Sequence, residues 1–250
     1  MIKDFIKKNF KVFYFLKKLN FLFKEDINNS SFFITDLKTI DKELNYLKTK
    51  KIIFDVGSHY GNEALSLDDY FPLSQIYSFE ANPIPFEVLK NKTKQRKNIF
   101  INKIFMSKES IDVPIDFFID KKSDLVGSAY PETQMTKTTS SKIKVNTDTI
   151  DNFCKKNNLD SIDILRLDIN GYELEALKGA TKMLGEKKIN YICSSFFNIG
   201  YDDQFKMGSL IKINEFLNLK GYRFITAYNN FFHKKINSGY YFAIFAKNTL

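Results

Sequence analysis

The sequence predicts an α/β domain with a doubly wound, mostly parallel sheet, and three observations point there. From Lys51 onward, short apolar runs alternate with segments of helical periodicity. These runs are short and largely apolar, as buried parallel strands are, and three of them are closed by a glycine or a carboxylate, Gly57, Glu80 and Asp168. The last two runs are joined by a connection too short for a helix, so they must pair antiparallel as a hairpin at the sheet edge.

The strands are expected at Lys51–Val56, ending in Gly57; Ile76–Phe79, ending in Glu80; Ile99–Phe105; Ile162–Leu167, ending in Asp168; and Ile189–Cys193. Helices are expected between them over about 61–70, 83–95, 148–157, 172–184 and 207–220. Tyr222–Tyr228 and Tyr240–Ala246 form the hairpin. Residues 120–142, rich in Ser, Thr, Lys and Gly, read as a long functional loop. Ahead of this domain, residues 1–48 read as an N-terminal helical extension, leaving 49–250 as one domain.

Composition narrows the function. The chain has 250 residues and a formal net charge of +9, but its lysines are scattered without a long basic block. A diffuse basic face is commonly solvated, so no nucleic-acid partner is expected. Two cysteines, Cys154 and Cys193, lie far apart, and His59 and His233 are the only histidines. This excludes a disulfide scaffold and a His-rich metal site, so no metal is expected. No stretch reaches the roughly 18 apolar residues that span a bilayer, and Met1–Phe23 lacks the uninterrupted apolar region of a signal peptide. The expected location is cytoplasmic. Ile2, Phe5, Ile6, Phe10, Phe13 and Leu16 recur at helical spacing among lysines. Such a helix packs on its own domain or on a second copy, or lies on the anionic inner face of a membrane.

Three motifs carry the chemistry. In Asp55-Val-Gly-Ser-His-Tyr-Gly61, two glycines between strand and helix allow a sharp turn and a close ligand approach. A dinucleotide fingerprint needs a glycine where His59 stands, and Asp55 suits a ligand with a cationic amino or sulfonium group. Glu80 is placed at the next strand tip to accept hydrogen bonds from ribose hydroxyls, and Asn82-Pro83 starts a helix. In Leu165–Ala180, Asp168 leaves its strand on the same rim as Gly57 and Glu80, Gly171 permits a turn, and Glu173 and Glu175 cap the helix or stay solvated.

Asp55-Val-Gly57…Gly61, Ser78-Phe-Glu-Ala-Asn-Pro83, Thr149-Ile-Asp-Asn-Phe153 and Leu165-Arg-Leu-Asp-Ile-Asn-Gly-Tyr-Glu-Leu-Glu-Ala-Leu-Lys-Gly-Ala180 together resemble FkbM-type methyltransferases over roughly residues 50 to 185. The resemblance implies a Rossmann-like class I fold with a seven-stranded sheet, S-adenosylmethionine as cofactor, and methyl transfer to an oxygen of a sugar or of a sugar-containing or polyketide natural product. By that similarity Asp55, Gly57 and Gly61 shape the pocket for the methionine part and Glu80 holds the ribose; Ser58, between the glycines, is a further cofactor-binding candidate. Asn82, Met106 and Ser107 lie near the adenine, and Asp168 near the methyl. The chain departs from the pattern at Ser58-His59, where relatives often carry Ala-Asn, and at Asn170, where they often carry Glu.

A hydroxyl acceptor needs a proton acceptor in the transition state. Asp168 and His59 are the candidates, with Asp168 preferred for its fixed strand-tip position. The acceptor pocket is expected between the 120–142 loop, Ser194–Asn198 and Tyr201–Asp203. The competing readings are a nicotinamide-dependent oxidoreductase, a cofactor-binding protein without turnover, and a nucleic-acid methyltransferase.

Overall fold

The computed structural model describes residues 51–109, 114–120, 127–129, 140–197, 208–233 and 238–248. The helical extension, the boundary at residue 48, most of the 120–142 loop and Tyr201–Asp203 lie outside these residues.

The described chain folds as the α/β domain expected. A seven-stranded sheet has the order β11-β12-β10-β9-β1-β2-β3, with β1 Ile52–Val56, β2 Gln75–Phe79, β3 Ile99–Asn102, β9 Ile162–Leu167, β10 Ile189–Phe196, β11 Tyr222–His233 and β12 Ser238–Lys247. The strands from β10 to β3 run parallel, while β12 runs antiparallel to both of its neighbours, β10 and β11. The hairpin is therefore inserted with its second strand inward, so the start of β12 reaches the rim where the parallel strands end. The helices are α1 Asn62–Tyr70, α2 Pro83–Thr93, α3 Ile150–Lys156, α4 Glu173–Lys178, α5 Thr181–Gly185 and α6 Leu210–Leu219.

Alternation along the strands divides the core between the two sheet faces. Ile53, Ile76, Ile164 and Ile244 meet Ala64, Leu67 and Phe71 on the α1 side. Phe54, Val56, Leu165 and Leu167 meet Ile150, Phe153, Ala176, Leu177 and Leu217 on the other. Phe153 seats α3 by edge contacts with Phe54 and Phe79, at centroid distances of 5.6 and 4.8 Å.

Three boundaries differ from the sequence reading. The run 99–105 breaks at Asn102, and β4 Phe105–Met106 pairs instead with β8 Thr147–Asp148 in a separate parallel pair. The predicted helix 172–184 is split into α4 and α5 at Gly179. A Cβ there would stand 2.1 Å from the Ser107 carbonyl oxygen, so the break lets the chain pass close to β4. The third concerns the expected loop. Its described residues belong to an antiparallel sheet in which β5 Ile115–Asp120 leads into the loop, β6 Gly127–Ser128 lies within it and β7 Ser140–Val145 leads out of it. Phe117, Ile119 and Val145 are buried in the main core, and Phe105 packs on Phe117 at 5.4 Å. The Ile115, Phe117, Ile119 alternation is the strand signal in that segment.

Candidate active site

Five chain segments meet at the C-terminal rim of the sheet, the edge where open α/β sheets take their ligands. They are the ends of β1, β2, β9 and β10 and the start of β12.

The turn after β1 is welded to the tip of β2. The N–H groups of Gly57 and Ser58 both donate to the Phe79 carbonyl, at 2.9 and 3.0 Å, and Ser58 Oγ donates to the Asp55 carbonyl at 2.7 Å. Gly57 has φ 88, and a Cβ on it would lie 1.9 Å from the Asp168 carbonyl oxygen. Its freedom is thus spent on bringing β1 and β9 together at the rim. Gly61, at φ 78, closes against Leu89 of α2, whose Cδ1 would lie 2.5 Å from an added Cβ.

Glu80 follows β2 and is buried. Its Oε2 accepts the His59 N–H and its Oε1 the Asn82 N–H, both at 2.8 Å. Burial pushes its pKa up to about 7, against the pull of those two backbone donors and with a push from Asp55 and Asp168. His59 reaches Glu80 through its backbone, at φ 46, while its ring tilts over Tyr60 at 3.8 Å. Asn82 caps α2 by accepting the Ile84 N–H at 3.1 Å; its own Nδ2 is buried without a partner among the described residues.

The centre of the rim is a buried charge network. Parallel register sets Asp55 of β1 beside Arg166 of β9. Arg166 Nη1 donates to Asp55 Oδ1 at 2.8 Å, and Arg166 Nη2 to Asp168 Oδ2 at 2.6 Å. Burial works against the Arg166 charge, but Asp168, Asp55 and Glu63 outweigh it and raise its pKa. Its guanidinium lies over the Phe242 ring at 5.2 Å. Asp55 is wholly buried, and its Oδ2 has no partner among the described residues. Asp168, with 21% of its side chain exposed, also accepts a hydrogen bond on Oδ1 from the Tyr240 hydroxyl of β12. Burial raises the Asp168 pKa while Arg166 pulls it down. Glu63 of α1 faces the same network, and burial raises its pKa too.

The turn beyond Asp168 is held from behind. Glu173 is fully buried; its Oε1 accepts the Ile169 N–H at 2.9 Å and the Ser195 hydroxyl at 2.7 Å. Burial pushes its pKa up to about 7. This corrects the expectation of a solvated or dipole-capping Glu173: it ties α4 to β10. Asn170, at φ 52, donates from Nδ2 to the Gly127 carbonyl at 3.1 Å, joining the turn to β6. Met106 is wholly buried in the main core, and the Ser107 N–H donates to the Asp148 carbonyl at 2.9 Å. Phe196 is core, whereas half-buried Phe197 packs at the rim on Tyr240, centroids 4.8 Å apart.

A model of the FkbM methyltransferase domain matches residues 55–224, over half of the chain. The chain belongs to the FkbM methyltransferase family. No curated protein matches it. Among solved structures, the [4+2]-cyclase SpnF is similar with a TM-score of 0.50 at 11% identity, over 90% of this chain and 85% of that one. Magnesium protoporphyrin IX methyltransferase from Synechocystis PCC 6803, solved with bound SAM, gives 0.47 at 9% identity, over 89% and 87%. At such identities the likeness to SpnF speaks for the fold alone, which is the class I methyltransferase fold.

In this FkbM methyltransferase the rim gathers Asp55, Gly57, Ser58, His59, Glu80, Asn82 and Asp168 from the sequence reading. That reading missed Arg166, Glu63 and Tyr240. Arg166 was detectable as a lone cation inside an apolar strand, two residues from Asp168 and so on the same face. Tyr240 was not, because its place depends on which hairpin strand lies inward. Among the described residues no cluster of His, Cys, Asp and Glu could hold a metal ion, and no helix is long and apolar enough to cross a membrane.

Proposed function

We propose that the chain is an S-adenosylmethionine-dependent O-methyltransferase whose acceptor is a hydroxyl of a sugar, a glycan or a glycosylated small molecule. The observation that carries the reading is the Asp55–Arg166–Asp168 network standing beside buried Glu80 on one rim.

The residues present fit the cofactor. Among the described residues Asp55, Asp168, Glu63 and Glu80 outnumber Arg166, so the rim favours a ligand bearing ammonium and sulfonium charges. The lone Oδ2 of Asp55 is a buried acceptor for an ammonium group. Each Glu80 oxygen has one backbone donor and a further lone pair for a ribose hydroxyl. Asn82 Nδ2 is a buried donor that a ligand nitrogen or oxygen would satisfy.

When bound, S-adenosylmethionine supplies an electrophilic methyl group for in-line displacement. The protein aligns the partners, excludes water and takes up the acceptor proton. Asp168 is the group for that proton: of the two carboxylates that Arg166 holds in place it is the one open to the rim, with 21% of its side chain exposed against none of Asp55. Phe197 and Tyr240 beside it give an aromatic wall, which suits the apolar face of a sugar ring. The acceptors proposed are soluble or membrane-linked glycan precursors, with the basic, Phe-rich segment before residue 24 as a contact to a membrane surface or to a second copy.

Calorimetry with S-adenosylhomocysteine and NADH tests the cofactor. Release of S-adenosylhomocysteine over a panel of methyl glycosides and cell-envelope oligosaccharides tests the acceptor. The Asp168→Ala variant should keep cofactor affinity within about threefold and lose about 10²–10⁴-fold in turnover. Preference for NADH, or undiminished turnover in that variant, refutes the proposal.

A further inference from the structure

We propose that Tyr240 is a positioning residue of the methyl-transfer site: its hydroxyl holds the Asp168 carboxylate ionised and aimed along the rim, and its ring with Phe197 forms the wall where an acceptor hydroxyl meets that carboxylate. The proposal rests on the methyltransferase reading above.

Tyr240 comes from the one strand of the central sheet that runs against both of its neighbours. Because β12 is antiparallel to β10, Tyr241 pairs with Phe196 at the end of β10, and Tyr240 stands one residue nearer the rim. Its hydroxyl donates to Asp168 Oδ1 while Arg166 occupies Oδ2. Two donors on opposite oxygens fix both the rotation of the carboxylate and its charge, since each favours the ionised form. The ring is held by Phe197 on one side and by Phe242 edge-on at 5.4 Å. Phe242 is the ring under Arg166, so phenol and guanidinium are supported by the same side chain.

The groups facing Asp168 explain why a second donor matters. Arg166 from its own strand favours the carboxylate; Asp55 of β1, Glu63 of α1, Glu80 after β2 and Glu173 of α4 all disfavour it, as does burial. With Arg166 shared between two aspartates, the Tyr240 hydroxyl is the donor dedicated to Asp168. In the reaction the acceptor O–H bond breaks as its oxygen bonds to the methyl carbon. The C–S electron pair goes to sulfur, and the proton goes to a free lone pair of Asp168. Sulfonium and carboxylate are both neutralised, so a carboxylate kept ionised beforehand is the state the step consumes.

The test reads Asp168 itself. Protein with ¹³C-carboxyl aspartate is titrated by NMR, with the Asp168 signal assigned by Asp168→Asn. Tyr240→Phe should move the Asp168 midpoint up by about one pH unit, and 3,5-difluorotyrosine at position 240, a stronger donor, should move it down. The affinity for S-adenosylhomocysteine should stay within about threefold in both variants. A role limited to packing gives no opposed shifts, so an unmoved midpoint, or two shifts of the same sign, overturns the proposal. Wild-type protein that binds no S-adenosylhomocysteine yet shows the opposed shifts overturns instead the methyl-transfer reading and the acceptor role with it.

Discussion

Replacing Arg166 with Met removes the cation that the rim network holds among the described residues while keeping a stem long enough to cover Phe242. Arg166 is 8% exposed, and it leaves behind two carboxylates that shared its guanidinium at 2.8 and 2.6 Å. Breaking one partner out of a buried ion pair costs about 3–5 kcal/mol, because the remaining charge is uncompensated. In a domain of this size each kcal/mol lowers the melting temperature by about 2–4 °C, so the expected loss is about 6–20 °C. The sign of the pH dependence follows. Without Arg166, burial and the neighbouring Asp55 carboxylate raise the folded-state pKa of Asp168 further above its unfolded value. The folded variant then binds protons, and its deficit is smallest in mild acid and grows as pH rises through neutrality. Urea unfolding followed by far-ultraviolet circular dichroism at pH 5.5 and pH 8 measures both effects; the chain has no Trp to report by fluorescence. A deficit below about 1 kcal/mol, or one independent of pH, refutes the account of the network.

Other substitutions probe the surrounding parts. Gly57→Ala places a Cβ against the Asp168 backbone at positive φ and should largely abolish soluble folded protein, whereas Gly61→Ala, facing only the flexible end of Leu89, should lose far less; equal melting temperatures in wild type and Gly57→Ala contradict this. Glu173 has a folded pKa of about 7 against an ordinary value of 4.5, so its contribution to stability is complete below about 4.5 and is lost as pH rises through about 7. Glu173→Gln should flatten that slope by about 3 kcal/mol, read from unfolding curves between pH 4.5 and pH 8. The proposed ribose contact needs an ionised Glu80, so S-adenosylhomocysteine affinity should be full above pH 7 and fall up to about tenfold per pH unit below it. Glu80→Gln should bind about tenfold more weakly and without that dependence; calorimetry across pH 5.5–8 decides.

The parallel part of the fold was legible because it rests on local pattern. Ile52–Val56 and Ile162–Leu167 are apolar runs closed by Gly57 and Asp168, and burial on both faces leaves such runs few other places. The small sheet of β5, β6 and β7 was not legible. Its pairings span separate stretches of a polar, Lys- and Thr-rich segment, and only Ile115, Phe117 and Ile119 betray a buried face. The rim residues split in the same way. Asp55, Glu80 and Asp168 announce themselves as strand-tip carboxylates. Glu63 looks like an ordinary first-turn acid of a helix, and Tyr240 becomes a neighbour of Asp168 only through long-range strand insertion. The split of the 172–184 helix follows from Gly179 meeting Ser107, a contact between segments about seventy residues apart.

The most direct measurement is a crystal structure with S-adenosylhomocysteine. The account predicts both ribose hydroxyls on Glu80, the amino group toward Asp55, and the sulfur facing Asp168 beside Tyr240. A ligand seated away from this rim, or one leaving Glu80 and Asp168 uncontacted, would contradict it.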